Sequence, residues 1–181
     1  MQTVGDKITS GKWTTGKIII AMIAEKRVNV YRLTESPLSP ELGAGDKVEV
    51  FFNGNDQVYT CPCRSWPNPY RPSDHASYLN AYGCLAPCIT RGKVKSNDLW
   101  GVHIQLNNLG FLPSTIPDVN NGNQMLIKKV CVHPMSEEQP GWPGSAGCIT
   151  IPKIFASQFF SLFVIDEEVI FQLFDHSKEA A

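Results

Sequence analysis

Most apolar positions in this chain recur with the two-residue period of strands rather than the wider period of helices. Residues 17–33 alternate or run β-branched and aromatic, broken by Glu25-Lys26-Arg27, which predicts a hairpin. The pattern is clearest in Lys47-Val48-Glu49-Val50-Phe51-Phe52 and Gln57-Val58-Tyr59-Thr60, joined by Asn53-Gly54-Asn55-Asp56. Asn-Gly accepts the positive φ of a tight turn, so a second hairpin is expected there. Further strands are expected over residues 101–106 and 169–174, together with two short ones: Leu126-Ile127 and Val130-Cys131-Val132 leading into His133, and Ile149-Thr150-Ile151. Residues 35–45, 61–72, 111–124 and 135–144 are rich in Pro, Gly and Asn and read as loops.

Helical spacing is rarer. Residues 74–82 predict a short helix capped by Ser73 or Asp74. After Pro152, residues Ile154, Phe155, Phe159, Leu162 and Phe163 fall on one helical face. Pro at the start costs such a helix nothing, because its missing N–H has no partner there anyway. The predicted fold class is therefore mainly β, a β-rich α+β chain with one helix after the strand at 149–151. Its 181 residues suit a single domain, 1–181.

Composition narrows the functional classes. Hydrophobic residues make up 43% and charged residues 18%, with net charge −1, so no basic field exists to hold nucleic acid through its phosphates. The longest apolar run, residues 18–24, is too short to span a membrane. Residues 1–11 lack the basic and apolar regions of a Sec signal peptide.

Six cysteines stand at 61, 63, 84, 88, 131 and 148. The close pairs Cys61-Pro62-Cys63 and Cys84-Leu85-Ala86-Pro87-Cys88 admit cross-pairing disulfides in an oxidising compartment, or a set of ordinary thiols. A structural zinc is a third reading, although its usual knuckle has two intervening residues and these have one and three. Cys131 sits in an apolar strand, where packing explains it.

Cys148 is different. It follows His133 by fifteen positions, closing the run Gly144-Ser145-Ala146-Gly147-Cys148-Ile149-Thr150. A thiol attacks carbonyls as thiolate, and a nearby imidazole is the common proton acceptor. Small neighbours leave room for a substrate carbonyl, and Gly144 and Gly147 can turn successive N–H groups toward one oxyanion. Taken singly, such a Cys reads as a small buried hydrophobe and such a His as polar surface. The joint order of strand, His, flexible loop, Ser-Xaa-Gly-Cys and strand favours a thiol acyl-transfer site.

Those residues resemble the active-site segment of the L,D-transpeptidase (YkuD-type) catalytic domain. That family carries a His at a strand end and, after a loop, Ser-(His)-Gly-Cys-(Ile/Val). Here the matching residues are His133 and Ser145-Ala146-Gly147-Cys148-Ile149. The divergent Ser-Xaa-Gly-Cys-Ile branch, with effector toxins and phage-associated relatives, fits more closely. Lys17-Ile18-Ile19-Ile20 through Val28-Asn29-Val30-Tyr31 also resembles the family's opening hairpin. Departures are plain: Ala146 replaces the usual His, Thr150 stands where Arg or Asn is frequent, and His133-Pro134 replaces His-Gly.

The resemblance implies an L,D-transpeptidase-like β-sandwich in which Cys148 is the nucleophile, His133 the general base and acid, and Gly147 an oxyanion donor. Ser145 would orient His133, or serve only as a turn former. Trp142, Ala146 and Thr150 would touch substrate, with no cofactor and no metal. The implied partner is a peptidoglycan peptide stem, plus a cognate immunity protein if the chain is an effector. The implied place of action is the cell wall or periplasm, reached from the cytoplasm by a route other than Sec. Alternatives are an L,D-endo- or carboxypeptidase acting as lysis factor or effector, and a catalytically inactive β-rich binding module.

Other residues carry less. His103 is expected as a half-exposed strand histidine, His75 as surface and His176 as part of a polar tail. No recognisable metal spacing joins His75, His103 and His133. A helix starting just after the Cys strand would favour thiolate by up to about 1–2 kcal/mol if its first turn faced the sulfur.

Overall fold

The structure, a computed structural model, describes residues 25–33, 46–52, 56–65, 84–117, 124–135 and 148–176. They form strands β1 (Arg27–Arg32), β2 (Asp46–Phe52), β3 (Asp56–Cys63), β4 (Cys88–Asn97), β5 (Gly101–Leu106), β6 (Leu112–Pro117), β7 (Gln124–Ile127), β8 (Cys131–Pro134), β9 (Ile149–Ile151) and β10 (Glu168–Asp175). One α-helix, α1 (Lys153–Phe160), follows β9. The described chain is mainly β with a helix after the Cys148 strand, in line with the alternating pattern. None of its helices is long and apolar enough to cross a membrane.

Eight strands make one sheet in the order β3-β2-β1-β10-β4-β5-β8-β9. Its two edges then meet. Arg64, just past β3, exchanges backbone hydrogen bonds with Thr150 of β9, both at 2.9 Å. The sheet curls round a shared interior, which removes the open edge that an isolated β9 would present. Strands β6 and β7 form a separate two-stranded sheet.

Alternation explains the interior. Val28 and Val30 of β1, Val48 and Val50 of β2, Ile104 and Leu106 of β5, Val132 of β8 and Ile149 and Ile151 of β9 join one buried cluster. Strand β4 contributes Val94 but also Thr90 and Gly92 to that inner row. A Cβ on Gly92 would come within 2.6 Å of Ile104 Cγ2, so close strand approach requires glycine there. Helix α1, too short to be stable alone, closes the seam by burying Ala156, Phe159 and Phe160. The Phe159 ring lies 4.9 Å from that of Phe160 and 6.3 Å from that of Tyr59 on β3.

Several expectations need correction. Residues 88–97, given no element from the sequence, form the ten-residue strand β4, whose inner row is too polar to show strand alternation. The loop expected at 111–124 contains β6, because Leu112 and Pro113 pair with Ile127 and Leu126. The loop expected from Cys61 begins later, since β3 runs through Cys63. Ile154, assigned to the inward face of the helix, is 70% exposed, while Ala156 and Phe160 take that side. His176, read as polar tail, stacks beside Tyr31 and Phe174. Residues 17–24 of the first hairpin and the helix at 74–82 lie outside the described residues.

A buried polar knot ties one end together. Arg32 is fully buried. Its guanidinium donates to Ser65 Oγ (2.9 Å), Ser65 O (3.1 Å), Leu85 O (2.9 Å) and Asp175 Oδ2 (3.1 Å). Asp46 accepts from Leu33 N, Ser65 N and Ser65 Oγ. Arg32→Met should destabilise the fold by about 3–5 kcal/mol, because the accepting groups stay buried without their donor. Urea denaturation measures it, with Lys95→Ala at the exposed Lys95–Asp166 ion pair expected to leave the midpoint unchanged.

All four cysteines of the close pairs are thiols, unbridged in the structure. Burial pushes Cys61 up to about 11 and Cys88 up to about 12, from an ordinary 9.0. Cys63 and Cys84 are also raised by burial. Because the folded state holds these protons more tightly, their contribution is complete below pH 9.0 and falls as pH rises toward 11–12. Urea midpoints should therefore drop across that window, and less so in Cys61→Ser and Cys88→Ser.

Candidate active site

Strands β8 and β9 run parallel, with Val132 opposite Ile149 and His133 opposite Thr150. Stepping back one residue sets Cys131 opposite Cys148. Side chains two apart share a face, so Cys131, His133, Cys148 and Thr150 lie together on the face turned away from the apolar interior. Strand β5 extends that face with Gln105, the partner of Cys131. Cys148 and His133 are thus diagonal neighbours on adjacent strands, about 7–8 Å apart between backbones.

The imidazole of His133 is held firmly. It is 5% exposed, and its Nδ1–H donates to Pro134 O at 2.8 Å. A carbonyl can only accept, so the neutral ring carries its proton on Nδ1 and presents Nε2 as acceptor. Trp100 lies flat on this ring, 4.5 Å between centroids and 12° between planes.

The tip that places Trp100 is built locally. Asn97 Oδ1 accepts from Leu99 N and Trp100 N, and Gly101 takes φ +65° to close the three-residue loop between β4 and β5. The same indole meets His103 edge-on at 5.5 Å. His103, expected half-exposed, is 1% exposed beneath it. Its Nδ1–H donates to Gly101 O at 3.0 Å, and its Nε2 faces Gln105 Nε2 at 3.3 Å. Sequence reading missed Trp100 as part of this site. Its distance in sequence from His133 hides the stack, and only the strand register reveals it.

The sulfur of Cys148 is half-buried rather than sealed. It accepts a hydrogen bond from the backbone N–H of Cys131 at 3.2 Å, a donor that favours thiolate. Both thiols also point at one carbonyl, Lys129 O, 3.8 Å from Cys148 Sγ and 3.7 Å from Cys131 Sγ. Lys129 sits in the left-handed region at φ 61°, which bends the chain between β7 and β8 around the two sulfurs.

Cys131 is therefore more than strand filling. Its thiol is pushed well above the ordinary cysteine range, first by its hydrogen bond to the Cys148 sulfur, then by burial and by the charge on that sulfur. The helix, by contrast, does not serve the thiol. Helix α1 begins beyond the far end of β9, about 10 Å along the strand from Cys148, and a helix dipole acts only near its first turn.

Thr150, the register partner of His133, is 2% exposed, and its hydroxyl oxygen is buried without a hydrogen-bond partner. Trp142, Ser145, Ala146 and Gly147 lie outside the described residues, as do His75, Trp66 and Tyr70. Among the described residues no group of three or more His, Cys, Asp or Glu side chains is arranged to hold a metal ion.

No protein family model matches the chain, and no curated protein does. Among solved structures it is similar to Bd1075 of Bdellovibrio bacteriovorus, at a TM-score of 0.43 and 13% identity over 86% of this chain and 54% of that one. It is also similar to the helical cell shape determining protein Pgp2 from Campylobacter jejuni, at a TM-score of 0.40 and 9% identity over 90% and 55%. The chain spans about half the length of each.

The greater exposure of Cys148 and the raised pKa of Cys131 separate the two sulfurs. Iodoacetamide at neutral pH should alkylate Cys148 in the native protein while Cys131 stays unmodified until denaturant is added. Peptide mapping checks this; equal rates at both residues would remove the asymmetry.

Proposed function

We propose that the protein is a cysteine acyltransferase acting on peptidoglycan stem peptides in the manner of the L,D-transpeptidases. The observation that carries this reading is the Nδ1–H of His133 donated to Pro134 O. It leaves Nε2 as the proton acceptor, on the same sheet face as a half-exposed Cys148 that already receives one N–H.

In the reaction, His133 Nε2 takes the Cys148 proton and the thiolate attacks the stem carbonyl. Backbone N–H groups near Gly147 and Cys148 hold the oxyanion. Collapse breaks the peptide bond, and the proton on Nε2 passes to the departing amine. The thioester is then resolved by an incoming amine, with Nε2 accepting that amine's proton. Stacking on Trp100 fixes the imidazole plane through both halves of the cycle. Trp142, Ala146 and Thr150, flanking Cys148 in sequence, would contact the substrate. Substrate of this kind places the activity at the cell wall, reached by export or release.

Incubation with muropeptides followed by mass spectrometry is the test. Crosslinked or amino-acid-exchanged stems are expected from the native protein. Cys148→Ala should abolish them, and His133→Gln should lower the rate by about 10²–10⁴. Shortened stems alone would assign hydrolysis by the same site, and unchanged muropeptides would leave a binding module.

A further inference from the structure

We propose that Cys131 and Cys148 form a reversible redox pair, in which hydrogen peroxide oxidises Cys148 and Cys131 resolves it to a disulfide that closes the site. The consequence for activity rests on the role given to Cys148 above; the disulfide itself rests on geometry.

The two residues are directly opposite on neighbouring parallel strands, one step before the Val132–Ile149 pair. Strands in a sheet are about 4.7–4.9 Å apart, inside the Cα separation of about 4.4–6.8 Å that a disulfide spans. Both side chains leave the same face. The Cys131 N–H already reaches the Cys148 sulfur at 3.2 Å, and both sulfurs converge on Lys129 O.

Burial assigns the order of events. Cys131 is 2% exposed and Cys148 is half-buried, so a small oxidant meets Cys148 first. The Cys148 thiolate attacks one peroxide oxygen, the O–O bond breaks, and the departing hydroxide takes up a proton as water. Cys148 is then a neutral sulfenic acid, and the charge that opposed ionisation of Cys131 has gone. Cys131 gives up its proton and attacks the Cys148 sulfur; the S–O bond breaks and a second water leaves. In sum, two thiols and one hydrogen peroxide give one disulfide and two waters, with two electrons passing from sulfur to oxygen. A dithiol reverses the step. Without a resolving thiol, a second peroxide would carry Cys148 to the irreversible sulfinate.

Reduced wild-type protein is treated with hydrogen peroxide, alkylated and digested with trypsin. Trypsin leaves both cysteines between Lys129 and Lys153, so a second protease cutting after Glu137 and Glu138 separates them. The expected product is a Cys131–Cys148 linked peptide pair that disappears with dithiothreitol, with full return of Cys148 alkylation. In Cys131→Ala, or Cys131→Ser if the alanine variant does not fold, the reversible fraction should be lost and Cys148 should end as sulfinate.

The proposal is overturned if wild-type Cys148 goes to sulfinate with no linked peptide, resists peroxide altogether, or links mainly to another cysteine. A linked pair in a protein inactive on muropeptides supports the redox pair and counts against acyl transfer. An active enzyme with no linked pair does the reverse.

Discussion

The parallel pairing of β8 with β9 is the constraint on which the candidate site depends. It puts His133 beside Thr150 and Cys131 beside Cys148, all on the face away from the interior. A slip of one residue would send Cys148 and Thr150 inward and bring Ile149 and Ile151 out of the core. Those isoleucines are fully buried, so the hydrophobic interior enforces the register of the candidate site. Parallel strands also require a crossover of about a dozen residues or more, and the chain between Pro134 and Ile149 is long enough to make it. The Gly- and Pro-rich run carrying Trp142 and Ser145 is the connection this pairing demands.

Both edges of the site are pinned by the rest of the sheet. Arg64 clamps Thr150 from the β3 side through two backbone hydrogen bonds, and β5 holds β8 from the other. Further along the same sheet, the Arg32 knot joins β1 and β10 to Ser65 and Leu85. Buried ionic groups of this kind add little net stability over apolar packing but are costly to disrupt singly. Their effect is to fix where the sheet ends lie, and hence where the seam between β3 and β9 forms.

Much of the fold was legible because alternation survives wherever the inner row is β-branched, as in Val48 and Val50 or Ile149 and Ile151. It failed at β4, where Thr90 and Gly92 take inner positions and any larger residue at 92 would crowd Ile104, Val169 and Leu106. The helix was legible from its phenylalanines but not its exact facing, since Ile154 turns outward while the smaller Ala156 fits the seam. In the candidate site, His133 and Cys148 stood out through their motif. Trp100, His103 and Cys131 did not, because their relation to His133 and Cys148 is set by strand order rather than by spacing in sequence.

Cys131 shows why that difference matters. As a sequence position it is an apolar-strand cysteine, and its burial agrees with that description. In place, its backbone N–H and its thiol act on the same neighbouring sulfur. The N–H would stabilise negative charge on the Cys148 sulfur through a hydrogen bond to the charged form. The thiol, sharing Lys129 O with Cys148, pays for that proximity by becoming harder to ionise. One residue thus sharpens the contrast between two chemically identical groups: the exposed sulfur gains a donor, and the buried one loses acidity. The left-handed turn at Lys129, a conformation costing about 1–3 kcal/mol for a residue with a side chain, is what bends both sulfurs toward one oxygen. Strain at that single backbone position is therefore tied to the geometry of the thiol pair, and through it to any chemistry Cys148 performs.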